Sequence, residues 1–144
     1  MSMEKACDLY IKYKNGLEYY DEFLECFLSN IKINDLDSLK KDIISSLKIK
    51  LKSIDKINKE DDEKRVEIFK NIRNGINSGL YTYYRRLYND LKHEDKKELK
   101  SAIFYYIRDF CFSSMFRYNS NGDLNVPYGG ISYDNKDLGK KLNF

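Results

Sequence analysis

Met115-Phe116-Arg117-Tyr118-Asn119-Ser120-Asn121-Gly122-Asp123-Leu124-Asn125-Val126-Pro127-Tyr128 is where the chain stops reading as helix. Asn121-Gly122 at its centre tolerates the positive φ angles of a tight turn, and the flanking residues predict the two strands of a β-hairpin. Pro127 lacks an N–H and so suits an edge strand, while Gly129-Gly130 is expected to end the ribbon and free the tail. A two-stranded ribbon projecting from a helical body follows.

Outward from that segment, the apolar residues recur at helical spacing. Leu99, Ala102, Ile103, Tyr106, Ile107 and Phe110 predict a helix starting near His93-Glu94-Asp95, whose carboxylates favour the positive end of the helix dipole. Val66, Phe69, Ile72 and Ile76 predict another, with Gly75 and Gly79 permitting a kink or break before Leu80, Tyr84, Leu87 and Tyr88 resume the stripe. Asp35 or Asp37 can cap a helix carrying Leu39, Ile43, Leu47, Leu51 and Ile54, and Asn58-Lys59-Glu60-Asp61-Asp62 reads as a solvated loop. Leu17, Tyr20, Phe23, Leu24 and Phe27 predict the first helix. The expected fold is therefore mainly α: a bundle of four or five helices with a C-terminal β-hairpin. Residues 1–79 form its helical part and residues 80–144 the helix-plus-hairpin part of one domain, since 144 residues are short for two cores.

Composition narrows the function classes. Hydrophobic residues at 42% against 34% charged describe a globular domain rather than a disordered one. Residues 80–144 hold 11 basic and 8 acidic side chains and residues 1–79 hold 15 of each, so the net charge of +3 lies wholly in the C-terminal part. That is a slight lean toward a polyanion. Cys7, Cys26 and Cys111 are odd in number and accompanied by one histidine, His93, which fits neither a disulfide framework nor a zinc site and predicts buried thiols in a reducing cytoplasm. No apolar run approaches the roughly 20 residues of a membrane span, and the N-terminus has no signal-peptide layout. A cytoplasmic protein with no membrane partner is expected.

The predicted ribbon carries side chains suited to base edges. Arg117 pairs naturally with guanine, and Asn119, Asn121 and Asn125 with adenine, on a structure narrow enough for a major groove roughly 12 Å wide. Phe112, Met115, Phe116, Tyr118 and Tyr128 are interleaved with them, able to wedge beside bases or to pack the ribbon onto the preceding helix, the latter more so for Phe116 than for Phe112.

Arg117-Tyr118-Asn119, then Gly122, then Asn125-Val126-Pro127-Tyr128-Gly129, preceded by an apolar helix from Ala102 to Phe112, resembles the hairpin region of Dam-type (class alpha) N6-adenine DNA methyltransferases. Upstream, Tyr81, Arg85, Tyr88 and Asn89 look like that family's aromatic and arginine helix, so the resemblance covers about the last 60 residues. It implies that Arg117 contacts a guanine of the target, that Phe112 wedges beside the flipped adenine and that Arg85 meets a phosphate. It sets Met115 and Pro127 against base edges and includes Ser113, Asn119 and Asn125 in the same DNA-binding set. This chain has Ser113-Ser114 where the family often has Asn-Gly after the wedge aromatic, and Asp109 where an arginine is common.

Methylation of an extruded adenine needs a cofactor pocket and a site for the amino group. The resemblance implies S-adenosylmethionine in the complete enzyme, held by a Phe-x-Gly-x-Gly-type motif, and an Asp-Pro-Pro-Tyr or Asn-Pro-Pro-Tyr motif for the base. None of the seven glycines lies in the first pattern, and a chain whose one proline is Pro127 cannot hold the second. The sequence thus predicts no catalytic residues, no cofactor site and no metal in this chain. It predicts instead the DNA-recognition segment or subunit of an adenine-specific enzyme of restriction-modification type, inactive alone. Its partners would be double-stranded DNA and a catalytic methyltransferase chain. The alternative is a helical protein-interaction module without DNA binding, built on the charge-balanced stripes of residues 1–79.

Overall fold

The computed structural model describes residues 1–29, 31 and 33–137, and the chain divides into two compact units, Met1–Gly79 and Leu80–Phe144. Residues 138–144, including Gly139 and the end of the expected C-terminal part, lie outside the described residues.

The first unit opens with a helix the apolar-stripe reading passed over, α1 (Met3–Lys14), which buries Ala6, Leu9 and Tyr10 and is capped by Ser2 Oγ accepting from Lys5 N–H at 3.2 Å. Its stripe of spacing three and four was present in the sequence. α2 (Tyr20–Leu28) buries Tyr20, Phe23, Leu24 and Leu28, whereas Leu17 lies before it and is exposed. α3 (Leu36–Ile54) is capped by Asp35, whose side chain accepts from Ser38 N–H at 3.1 Å. It buries Leu39, Ile43, Leu47, Leu51 and Ile54 almost completely. Each such side chain contributes roughly 1.5–3 kcal/mol of transfer free energy. Asp55, just past α3, accepts from Tyr10 Oη at 2.7 Å and pairs with Lys14 at 3.2 Å, which fastens the end of α3 to α1. The Tyr10 hydroxyl holds the Asp55 carboxyl below its usual range, while burial and that same carboxylate push Tyr10 up to about 12.

α4 (Asp61–Asp90) starts on an acidic turn and runs 30 residues without a break. The break permitted at Gly75 and Gly79 does not occur, since the helix is continuous through both. These glycines instead let α3 approach closely: a Cβ on Gly79 would stand 2.4 Å from Ile43 Cα and 2.8 Å from Ile43 N, and one on Gly75 would stand 3.0 Å from Leu47 Cδ2. They are packing residues, one helical turn apart on the same face.

In the second unit, α4 ends in a one-turn 3₁₀ helix, Leu91–His93, and α5 (Lys97–Phe110) follows. Glu94 and Asp95 precede α5 without capping it, and Leu99 and Ala102, expected inward, are exposed. The core is Tyr81, Leu91, Ile103, Ile107, Cys111, Leu124 and Val126, with Tyr84, Tyr88, Tyr106, Phe110 and Tyr128 packed around it. Of the three cysteines, all free, Cys111 is buried, Cys7 is half-buried and Cys26 is exposed, so the expectation of three buried thiols holds for one.

The C-terminal β-hairpin does not form: there is no strand among the described residues, and the segment is a loop with two isolated antiparallel bridges, Cys111 with Tyr128 and Tyr118 with Leu124. The reason lies in the ladder itself. Asn119 N–H donates to Asp123 O at 2.9 Å and Asn125 N–H to Arg117 O at 2.7 Å, which sets Tyr118 opposite Leu124 as a non-hydrogen-bonded pair. The next such pair, Phe116 with Val126, would need the amide of residue 127, and Pro127 has none. On the same edge the Asn125 carbonyl accepts from the Arg117 Nε, at 3.0 Å. Pairing therefore stops after one step.

Nor is the tail freed at Gly129-Gly130. The Tyr133 ring lies on Gly129, where a Cβ would come within 2.3 Å of it, and Gly130 adopts φ 87°. Beyond them Tyr133 Oη accepts from Ser113 N–H at 3.0 Å, Tyr128 Oη donates to Asp134, and Lys136 Nζ donates to Asp109 O at 2.6 Å. The chain through residue 137 is tied back onto the loop and α5. No helix among the described residues is long and apolar enough to cross a membrane.

Candidate functional site

What replaces the second strand is one face of a helix. Tyr81, Arg85 and Asn89, spaced four apart on α4, and Lys92 just beyond it hydrogen-bond the returning limb of the loop in sequence. Tyr81 Oη donates to Val126 O at 2.9 Å, and Arg85 Nη1 donates to the same oxygen at 2.8 Å. Asn89 both donates to Leu124 O at 3.1 Å and accepts from Leu124 N–H at 2.9 Å, doing with one amide what a neighbouring strand would do. Lys92 Nζ donates to Asn121 O at 2.7 Å and meets Asp123 at 3.1 Å. Backbone groups at buried positions must find partners, and here side chains supply them. Tyr81, Arg85 and Asn89 were visible in the sequence as a spaced set; their use as a ladder, and the part of Lys92, were not.

With Leu124 and Val126 drawn into the core, the intervening residues face outward: Asn125 and Pro127 are exposed, as are Arg117, Phe112 at 54% and Met115 at 67%. Among the described residues the terminal nitrogens of Arg117 meet no acceptor, its Nε alone being held by Asn125 O. The Asn125 side-chain amide keeps both its donor and its acceptor. Phe116 packs on α5, stacked on Phe104 with centroids 5.1 Å apart, and Tyr128 packs inward against Tyr81 at 5.5 Å.

Two residues of the expected DNA-binding set are used internally. Asn119 Oδ1 accepts from Asn121 N–H at 2.9 Å and Asp123 N–H at 3.0 Å, so its acceptor is spent on the turn and paired recognition of adenine is denied to it. Arg85 is half-buried with Nη1 on Val126 O, and any phosphate contact is left to its remaining donors.

Ser113 and Ser114 stand at φ 55° and 51°, in the left-handed region that asparagine and glycine adopt most readily. An L-residue there costs about 1–2 kcal/mol, of which glycine would return part in unfolded-state entropy. Ser114→Gly is accordingly expected to stabilise the second unit by about 0.5–1 kcal/mol, read as a higher urea midpoint. A lower midpoint would show that the serine is not strained.

Burial pushes the Tyr81 and Tyr106 hydroxyls and the Cys111 thiol above their usual ranges, which keeps all three neutral and the thiol unreactive near neutral pH. The described glycines are not placed as a nucleotide cradle would need them. A nucleotide cradle needs glycines in the loop between a strand and a helix. The described glycines end α1 (Gly16), pack α4 on α3 (Gly75, Gly79), turn the loop (Gly122) or lie by Tyr133 (Gly129, Gly130).

Comparison with known proteins bears on this arrangement. A type II methyltransferase, M.CviBI of Paramecium bursaria Chlorella virus NC1A, is 35% identical over 83 residues, which is 51% of this chain and 32% of the relative. The aligned part thus spans about a third of that protein's length. No solved structure matches. Residues 26–143 match the family of D12 class N6 adenine-specific DNA methyltransferases, across most of both units. On that match, the chain belongs to the D12 class N6 adenine-specific DNA methyltransferase family.

Proposed function

We propose that the second unit reads duplex DNA for an adenine-specific methyltransferase, with the outward side of the Phe112–Pro127 loop as its working edge. One observation carries this reading. Arg117 is exposed with its terminal nitrogens unspent, beside exposed Phe112, Met115, Asn125 and Pro127, on a loop whose inner side is held by the α4 side-chain row. A guanidinium already fixed at Nε loses little freedom when its two end nitrogens meet a guanine edge. Asn125 offers the donor and acceptor pair that adenine matches. Ser113 and Ser114, both in the left-handed region, lie between exposed Phe112 and Met115.

The relative's description as a type II methyltransferase supports the same setting for this chain. Under this reading S-adenosylmethionine and the adenine amino group are held by polypeptide other than the residues described, because neither motif is present in them.

The test is selection from a pool of random duplexes by the purified chain. The wild-type protein is expected to enrich a sequence containing guanine, and Arg117→Ala to lose about 1–3 kcal/mol of discrimination at one base pair while keeping the rest. Equal enrichment by both proteins, or a stable oligomer that enriches nothing, would defeat the proposal.

A further inference from the structure

A groove of about 550 Å³ in the second unit shares no residue with the outward set above. It is lined by Tyr88 of α4, Lys97, Lys100, Ser101 and Tyr105 of α5, and Tyr118 of the loop. Phe104, also in its wall, is stacked on Phe116 and has Tyr88 at 5.9 Å, so the aromatic wall is fixed on two sides.

The polar groups of this lining have one property in common: each can donate a hydrogen bond, and no carboxylate is among them. The hydroxyls of Tyr88, Ser101, Tyr105 and Tyr118 have no hydrogen-bond partner among the described residues. Lys97 is exposed and makes no ion pair there, and Lys100 Nζ makes one long bond, 3.4 Å to Lys92 O, leaving two N–H groups. Glu98, which lies between the two lysines in sequence, is exposed and does not line the groove, while Glu94 pairs with Lys96 at 2.9 Å and Asp123 with Lys92 at 3.1 Å. Donors lining one groove, two of them ammonium groups, match an oxyanion that carries several acceptors and a full negative charge, and they give a cation nothing in return.

We propose that this groove seats a backbone phosphate of the DNA strand, with Lys97 and Lys100 neutralising it and the Tyr118 and Tyr88 hydroxyls completing its hydrogen bonds. The contact is separate from base reading by Arg117 and anchors the loop's register on the duplex. It rests on the reading that the second unit meets DNA.

Salt dependence tests it, because each phosphate neutralised releases a counterion. Duplex affinity of the full chain is measured by fluorescence anisotropy from about 50 to 200 mM salt, the range over which such effects are large. In Lys97→Gln/Lys100→Gln the slope of log affinity against log salt is expected to fall by about 1, as for one phosphate, so that over this range the wild type loses about three- to fourfold more affinity than the variant. The sequence enriched from random duplexes stays the same. Tyr118→Phe, which removes a donor and no charge, is expected to weaken binding about threefold to tenfold with the slope unchanged. An unchanged slope in the double lysine variant, or unchanged affinity in Tyr118→Phe, overturns the groove while leaving base reading intact. Loss of the preferred sequence in the lysine variant overturns it as well. If instead the slope falls but Arg117→Ala discriminates as the wild type does, the base-reading proposal fails and the groove stands. A wild-type chain that binds no duplex ends both.

Discussion

Replacing Gly79 with alanine is expected to lower the stability of the first unit by about 2 kcal/mol, although alanine is the better helix former by about 1 kcal/mol. The new methyl group would enter space held by main chain: Ile43 Cα at 2.4 Å, Ile43 N at 2.8 Å and Asp42 O at 2.9 Å. Backbone inside a helix cannot rotate aside as a side chain does, so α3 must shift as a body and loosen the row from Leu39 to Ile54. Overpacking of this kind costs about 1–3 kcal/mol and often more when main chain is struck, which exceeds the gain in propensity. Gly75→Ala is the control. Its closest contact is the flexible Leu47 Cδ2 at 3.0 Å, and the expected change is well under half as large. Urea unfolding followed by circular dichroism reads both. Equal effects at the two positions, or a more stable Gly79→Ala, would mean that α3 does not pass where it is described.

Asn89→Ala is the second large effect, an expected loss of about 2 kcal/mol from the second unit. Leu124 is 1% exposed, and its N–H and C=O both end on the Asn89 amide. Truncation leaves a donor and an acceptor without partners at a largely buried position, at about 1–3 kcal/mol for each group water cannot reach. Asn89→Asp keeps the acceptor for Leu124 N–H but turns a carboxylate oxygen toward Leu124 O, so it is expected to recover less than half. The same substitution reports on function. Arg117 is fixed through Asn125 O, and Asn125 follows Leu124, so Asn89→Ala should erode discrimination at the base pair that Arg117→Ala affects. Tyr81→Phe, which leaves Arg85 on Val126 O, should cost less in both measurements. An Asn89→Ala protein as stable as the wild type would show that the limb is held by apolar packing alone.

The helical stripes were legible because a helix needs nothing outside itself to define its period. Leu39, Ile43, Leu47, Leu51 and Ile54 declare α3 in one dimension, and Asp35 declares its start. Kinship with adenine-specific DNA methyltransferases, though not the Dam type, was legible for a related reason: Arg117-Tyr118-Asn119 and Asn125-Val126-Pro127-Tyr128 keep their order whatever the backbone does between them.

The loop shows where that reading stopped. Asn121-Gly122 does turn the chain, with Gly122 at φ 75°. Whether two limbs then become strands depends on which partner each amide and carbonyl finds first, and that is settled across the fold. Here Arg117 Nε reached Asn125 O, Pro127 had no amide to offer, and the α4 row claimed Leu124 and Val126. In the same way Gly75 and Gly79 are equally consistent with a kink and with a close helix contact until a neighbouring helix is present. The residues by themselves determined which segments are helical, where the chain turns and which family it belongs to, because those depend on local period and on order. Tertiary structure alone decided that the turn closes a loop braced by a helix, that Asn119 serves the turn and that Arg117 keeps its end nitrogens outward. A hydrogen bond has one donor and one acceptor, and long-range competition for them leaves no trace in a linear pattern.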